Sequence, residues 1–476
     1  MTAISGREAA IHQDRAFLGH PRGLAFLAFT EAWERFSYYG MQTLLVLYMT
    51  KQLLRPGHIE RIAGFGPFRA VLEHGHAMTI VALASAIFGL YTAMVYATPA
   101  LGGLLADRVL GRTRTIVLGA LLMALGHFLM AFDQSFLVAL LCLMLGSGCF
   151  KGNIATQVSS LYAPEDLRRA DAFQIFYLGI NAGVISAPFV TGTLAEKVAW
   201  HYGFGAAGVG MLISLVIYLA GRRHLPPDPP LRRETEKAAR APMTAQEWRS
   251  VILLLCLLPV LAASIVGNNQ IFNAYLLWAD KSVDRHLFGV PFLTEYLVSI
   301  DSVVSVATLA GMVIFWRWWK TRFKEPDELG KIVIGCLFGG VGVACLAAGA
   351  AIAAASGQKV SMGWLLAFHI LNDIGFANVL PVGLALYARA APRALAGTIV
   401  GIYYLHLFAG NLAVGWLGGL LDKMPAVQFW LLHAALVTGA GVVFFFVRLA
   451  FGRLLSGEPA EPDLAEVVAA DAQETP

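Results

Sequence analysis

Between Thr30 and Met41 the sequence reads TEAWERFSYYGM, which sets two carboxylates, a guanidinium and two phenols inside an otherwise apolar run. From Gly23 to Leu54 that run is long enough to cross a bilayer as one helix, since about 20 apolar residues suffice. At about 3.6 residues per turn, Glu31, Glu34, Arg35, Tyr38, Tyr39 and Gln42 follow spacings of three and four and share one stripe. Each charge near mid-bilayer costs about 2.5–3.5 kcal/mol on insertion scales, so three on one helix need partners or a wet cavity. Glu31 and Arg35 form an i,i+4 pair, and Glu34 is the surplus carboxylate. One reading is a structural ion pair that holds helices together. The other is a proton site, because a carboxyl group whose protonation is tuned by burial and by a nearby cation can couple proton binding to helix movement.

The rest of the chain has the composition such a helix requires. Of 476 residues, 57% are hydrophobic and only 14% charged, with a mean hydropathy of +0.64; soluble domains usually carry about 25% charged residues. An all-α, polytopic membrane protein is expected. Apolar runs bounded by charge or by Gly and Pro give about twelve spans. Segments on the N-terminal side of the membrane hold 24 of the 35 Lys and Arg, the opposite loops hold nine, and Arg35 and Lys151 lie inside spans. By the positive-inside rule both termini are then cytoplasmic. The first apolar run is of full spanning length behind a polar start, so no cleavable leader is expected. Cys142, Cys149, Cys256, Cys336 and Cys345 all fall in apolar runs, which suggests neither a disulfide framework nor a metal cluster.

Punctuation divides the chain further. The stretch from Arg222 to Arg249, with Pro226, Pro227, Pro229 and Pro230 followed by LRRETEKAAR, reads as a cytosolic linker. The expected organisation is a cytoplasmic N-terminus (1–22), a six-helix bundle (23–221), the linker (222–250), a second six-helix bundle (251–450) and a disordered cytoplasmic tail (451–476) rich in Glu, Asp, Pro and Ala. Between the second and third spans lies GGLLADRVLGRTRT, where Asp107 at a helix end can pair with a basic group or with the positive end of a neighbouring helix. A solvated basic loop is the alternative. The fourth span contains GSGCFKGN, with Lys151 several turns from a loop and Gly146, Gly148 and Gly152 permitting close helix approach. The expected partners of Lys151 are the carboxylates of the first span, with snorkelling to the interface as the alternative. In the fifth span, FQIFYLGINAG offers Asn181, an amide suited to a peptide carbonyl or to gluing helices.

Glu31, Glu34 and Arg35, continued by Phe36, Tyr38, Tyr39 and Gly40, resemble the ExxER motif that opens the proton-dependent oligopeptide transporters (POT/PTR), a branch of the major facilitator superfamily. GGLLADRVLGRTRT is similar to the superfamily's loop motif, in Gly102, Asp107, Arg108, Gly111 and Arg112, which latches the cytoplasmic side. GSGCFKGN, FQIFYLGINAG and WHYGFGAAGVGM are similar to segments of the same family. The resemblance implies the major facilitator fold, 12 transmembrane helices in two six-helix bundles with the site at the midplane between them. It implies proton coupling through Glu31, Glu34, Arg35 and Lys151, and substrate contacts at Tyr38, Tyr39, Gln42, Tyr91 and Asn181. In the second half the corresponding positions are Asn269, Asp301, Asp373, Phe376 and Tyr403. Many bacterial relatives insert two further helices at the linker; about 28 residues leave no room for them, since each span takes about 20.

The second half departs from the family pattern. Asn269 stands where a glutamate is usual, and Asp301 where an asparagine is. Phe376 aligns with the glutamate that meets a peptide's amino terminus, with Asp373 three residues earlier on nearly the same face. Gln42 replaces a second first-span arginine. Asp301 and Asp373 are either interior acids that restore the missing charge or interfacial acids. The function expected is proton-coupled symport of di- and tripeptides or peptide-like molecules into the cell by alternating access. A non-peptide zwitterion or anion on the same fold is the alternative. The protein is expected to act as a monomer in the cell (inner) membrane, with protons as the coupling ion and no other cofactor, and without nucleic acid. An enzyme would need a nucleophile with a base, or a metal set, near one membrane face, and the sequence offers neither. His58, His74 and His76 read as a solvated loop more readily than as a metal site. His127, His369, His406 and His433 are scattered over four spans as packing or hydrogen-bonding residues, with His369 and His406 also cavity candidates.

Overall fold

The computed structural model describes residues 3–163, 165–229, 243–287, 289–392 and 395–456. Its first half comprises α1 (Ala3–Gln13), α2 (Arg22–Tyr48), α3 (Phe65–Glu73), α4 (Ile80–Leu105), α5 (Arg112–Leu129), α6 (Phe136–Ser160), α7 (Arg168–Lys197) and α8 (Trp200–Gly221). The second comprises α9 (Ala245–Ser264), α10 (Val266–Asn269), α11 (Ala274–Ser282), α12 (Tyr296–Trp319), α13 (Glu328–Ser356), α14 (Gly363–Ala390), α15 (Ala396–Tyr403), α16 (Leu405–Gly418) and α17 (Ala426–Ser456). Short strands pair in the loops of the second half: β1 (Val283–Asp284) parallel to β4 (Val360–Ser361), and β2 (His286–Leu287) antiparallel to β3 (Val290–Pro291).

Among the described residues, 11 helices are long and apolar enough to cross a membrane. The twelfth, α2, has 27 residues and is less apolar because it carries Glu31, Glu34 and Arg35. It is nevertheless the most enclosed: Gly23 to Tyr48 lies mostly buried, packed against α7 and α8. A polar stripe that would be expelled by lipid is stable here because it faces protein. In the second half, α13 packs against α14 and α17, and α12 against α14. The halves meet through α4 with α16 and α7 with α12. This is the helical architecture of the major facilitator superfamily.

Several boundaries differ from those read in the sequence. The seventh span is not one helix: it breaks after Ser264 into α10, a short 3-10 turn at Gln270–Phe272, and α11. Asn273 at the break has φ −129° and ψ −107°, outside the helical well, and its amide is fixed by Ser85, Gln270 and Val414. The eleventh span is likewise divided at Tyr404, between α15 and α16. The presumed tail is helical up to Ser456, and the last residues of the linker already belong to α9, which starts under a capping box formed by Thr244 and Glu247. Most of the linker and of the tail lies outside the described residues. The N-terminus carries α1, whose Arg7 guanidinium donates to the carbonyls of Arg223 and Leu225.

The interactions that join the halves gather at the end opposite the termini. Lys51 Nζ bridges Glu196 of the first half at 3.1 Å and Asp280 of the second at 3.2 Å. Ser85 donates to Asn273, Ser299 to the carbonyl of Ile185, and the Thr193 and Tyr296 hydroxyls meet. Glu295, beside this seam, is fully buried, and among the described residues neither of its carboxylate oxygens has a hydrogen-bond partner. The conformation is thus closed at that end.

Candidate functional site

The site begins on α2, and α7 decides its placement. A Cβ on Gly183 would run into the backbone carbonyl of Ala32, one on Gly179 would lie 2.9 Å from that of Ala28, and so α7 approaches α2 closely along the line of Ala28 and Ala32. This is what Gly179 and Gly183 of FQIFYLGINAG do physically. Arg35 Nε donates to Glu31 Oε1 at 2.7 Å and lies 2.8 Å from Glu34 Oε2. One guanidinium therefore answers two carboxylates. Among the described residues, Glu31 Oε2 and Glu34 Oε1 are buried without a hydrogen-bond partner, and Gln42 Oε1 and the Tyr91 hydroxyl share that condition. Excess negative charge with open acceptor positions is what a proton or a cationic substrate group can satisfy.

Lys151 on α6 differs from expectation. Its ammonium stacks on the Tyr38 ring at 4.0 Å and reaches the Tyr96 ring at 5.9 Å, rather than pairing with a glutamate among the described residues. The glutamates and Arg35 still act on it through space. A cation–π contact is worth about 0.5–2 kcal/mol, weaker than a buried ion pair, so Lys151 remains available to an anionic group. The close approach that brings α6 to α4 rests on Gly102 and Gly148, where a Cβ on Gly102 would strike the Gly148 carbonyl; Gly152, by contrast, faces open space. Tyr39 is half-buried and packs edge-on to Tyr38, with Phe272 of the second half at 5.7 Å. Asn181 spends its amide on the Tyr177 carbonyl of its own helix.

On the second half, Asp301 and Asp373 both lie well inside helices α12 and α14. Asp373 is only 2% exposed, and its Oδ2 has no hydrogen-bond partner among the described residues. With Phe376, Leu380, Tyr403 and Tyr177 it lines a largely apolar pocket of about 290 Å³ between α12, α14, α15 and α7. Tyr403 turns its hydroxyl to the Leu380 carbonyl at 2.6 Å, so it supplies a ring and no free donor. Asp301 is not free: its Oδ1 meets His369 Nδ1 at 2.8 Å. Asn269 lies at the broken seventh span, 3.5 Å from the amide of Asn268, which accepts from Asn372. His406 holds the Tyr403 carbonyl across the break between α15 and α16, His433 holds the Phe429 carbonyl one turn back on α17, His127 has no hydrogen-bond partner among the described residues, and His58 pairs with Asp133.

At the opposite, termini-bearing end, Asp107 is exposed in a π-turn (Ala106–Leu110) and makes no ion pair among the described residues. The capping role expected of it falls to Asp228, which accepts from the Thr113 backbone N–H and the Thr113 hydroxyl, both at 2.9 Å. Asp228 thus ties the start of the linker to the N-terminus of α5. Gly111 permits this with φ +79°, where a side chain would be strained and its Cβ would sit 2.9 Å from the Asp228 carboxylate. Sequence reading missed Asp228 because nothing local marks a proline-flanked aspartate as the cap of a helix more than a hundred residues earlier. Arg108 and Arg112 flank this turn.

Comparison with known proteins bears on the whole assembly. The POT family model matches residues 113–252. A di-/tripeptide transporter of Lactococcus lactis subsp. cremoris is 39% identical, over 91% of this chain and 96% of that protein. The peptide transporter YePEPT of Yersinia enterocolitica is 29% identical over 91% of this chain and 95% of its own. The crystal structure of a peptide transporter POT in complex with sulfate superposes with a TM-score of 0.82 at 26% identity, covering 96% of this chain and all of that one. Since a relative 39% identical is matched over 91% of this chain, the chain belongs to the POT family of multi-pass membrane transporters.

Proposed function

We propose that the protein is a proton-coupled symporter that carries di- and tripeptides or peptide-like molecules by alternating access, from the outside inward, as a monomer in the cell (inner) membrane with both termini cytoplasmic. The observation that carries this reading is the α2 cluster, in which Arg35 contacts two buried carboxylates while two of their oxygens stay unpaired. Such a group gains or loses a proton with a change of net charge at the seam between helices. Family membership and the peptide transporters among the relatives support it. The loop charge bias of 24 Lys and Arg against nine supports the orientation, and the seam of Lys51, Glu196 and Asp280 then closes the outer end.

A peptide zwitterion needs a cation near its carboxylate and an acid near its ammonium. Lys151, stacked on the Tyr38 ring, and Arg35 serve the first. Asp373 serves the second, since Phe376 cannot and Asp301 is engaged by His369. The test is uptake into proteoliposomes under an imposed proton gradient, with competition from a panel of dipeptides, tripeptides and amino acids. Glu31→Gln and Glu34→Gln should abolish gradient-driven accumulation and keep part of substrate exchange. Asp373→Asn should weaken peptides with a free amino end by a hundredfold or so and spare those with a blocked one, the ratio that about 3 kcal/mol of lost charge pairing gives. If no peptide competes for the wild type, the substrate is a non-peptide zwitterion or anion instead.

A further inference from the structure

The clusters above leave His369 without a role. Its side chain is 1% exposed, yet both ring nitrogens are engaged: Nδ1 faces Asp301 Oδ1 of α12 at 2.8 Å, and Nε2 faces the Tyr275 hydroxyl of α11 at 2.7 Å. Three elements therefore converge on one imidazole. His369 also lines a pocket of about 640 Å³ at the end opposite the termini, together with Asp284, His286, Lys359 and Ser361. One helical turn further along α14 stands Asp373, in the pocket between the halves. The imidazole lies between a pocket on the outer side and the carboxylate proposed to hold the substrate's ammonium.

The geometry allows a proton to come and go with little rearrangement. With a neutral imidazole, Nδ1–H donates to Asp301 and Nε2 accepts from the Tyr275 hydroxyl. After protonation, Nε2–H donates to the Tyr275 oxygen and only the hydroxyl rotates. The net charge of the Asp301–His369 pair changes from −1 to 0. The titratable groups facing it are Tyr275 from α11 and Asp373 on its own helix, with Asp284, His286 and Lys359 around the outer pocket. Tyr177 of α7 and Tyr403 and Tyr404 near α15 surround Asp373, and α10 contributes the uncharged Asn268 and Asn269. Among the described residues no lysine or arginine forms an ion pair with Asp301 or Asp373. Nothing basic competes with the imidazole for that charge.

We propose that Asp301, His369 and Tyr275 form a second proton-binding site, reached from the outer pocket while the halves are closed at that end, whose charge sets the field at Asp373. This rests on the symport reading. The informative variant is His369→Gln, because an amide can still donate to Asp301 and accept from Tyr275 but does not titrate. Purified full-length protein in detergent, titrated with a pH-indicator dye, should release about one proton more per chain than His369→Gln. That count needs no substrate, so it stands even if the peptide reading fails. In proteoliposomes, wild-type peptide uptake should fall as external pH rises. For His369→Gln, in which the α2 cluster still couples uptake to protons, that fall should be shallower than in wild type by more than about twofold. An equal proton count in wild type and variant overturns the proposal. So does an unchanged pH profile, and so does a lowered melting temperature that Asp301→Asn reproduces with no change in proton count, which would mark the cluster as structural.

Discussion

On α2, Glu31, Glu34 and Arg35 compensate one another along a single helix, with Arg35 Nε 2.7 Å and 2.8 Å from the two carboxylates. In the second half the corresponding charge is spread over three elements, with Asp301 of α12 and Tyr275 of α11 meeting on His369 of α14. The first arrangement is carried intact wherever α2 goes. The second exists only while α11, α12 and α14 keep their relative places, and α11 belongs to the broken seventh span. A cluster within one helix is suited to storing charge, whereas a cluster between helices is suited to sensing their displacement. The outer seam shows the same division, since Lys51 binds Glu196 of its own half and Asp280 of the other.

The comparison is sharpest at Arg35. Arg35→Ala leaves two buried carboxylates with no guanidinium, which should cost about 3–5 kcal/mol of stability in addition to transport. Melting in detergent beside uptake measures both, and a melting temperature equal to wild type would show that the α2 cluster is not self-compensating. Next comes the seam. Burial pushes the Glu295 carboxyl up from the ordinary 4.5 to about 7, with Glu196 and Asp280 adding to it and Lys51 opposing. An acid that binds its proton more tightly when enclosed favours the closed outer end at low pH, and that advantage is lost as pH rises from about 4.5 through about 7. The swing is on the order of 3 kcal/mol. Spin-label distances between the outer ends of α4 and α16 should therefore lengthen with rising pH in wild type and stay short in Glu295→Gln. A pH response retained by the variant would place the switch elsewhere.

Two smaller effects bound the comparison from below. Asp228→Ala removes the cap of α5 and should cost about 0.5–2 kcal/mol, read as a lower melting temperature without a change in selectivity. Tyr275→Phe deletes one neutral hydrogen bond to His369 and should cost about 0.5–1.5 kcal/mol. If it instead cost as much as Arg35→Ala, the cluster spread between helices would be the stronger of the two, and the contrast between the halves would fail.

What the sequence determined by itself is everything that depends on local periodicity. The spans, the polar stripe from Glu31 to Gln42, the Glu31–Arg35 pair and the approach glycines Gly146 and Gly148 of α6 follow from spacings of three and four and from residue size. Tertiary structure alone decided which distant groups meet. His369 was one of several scattered histidines until α12 brought Asp301 to 2.8 Å from it. Lys151 was assigned to the glutamates until the Tyr38 ring proved to lie beneath it at 4.0 Å. Asp228 had no visible target until the linker folded back on α5. The reason is geometric: contacts within a helix are set by a fixed rise and turn, whereas contacts between helices depend on packing over the whole bundle, which no stretch of sequence encodes locally.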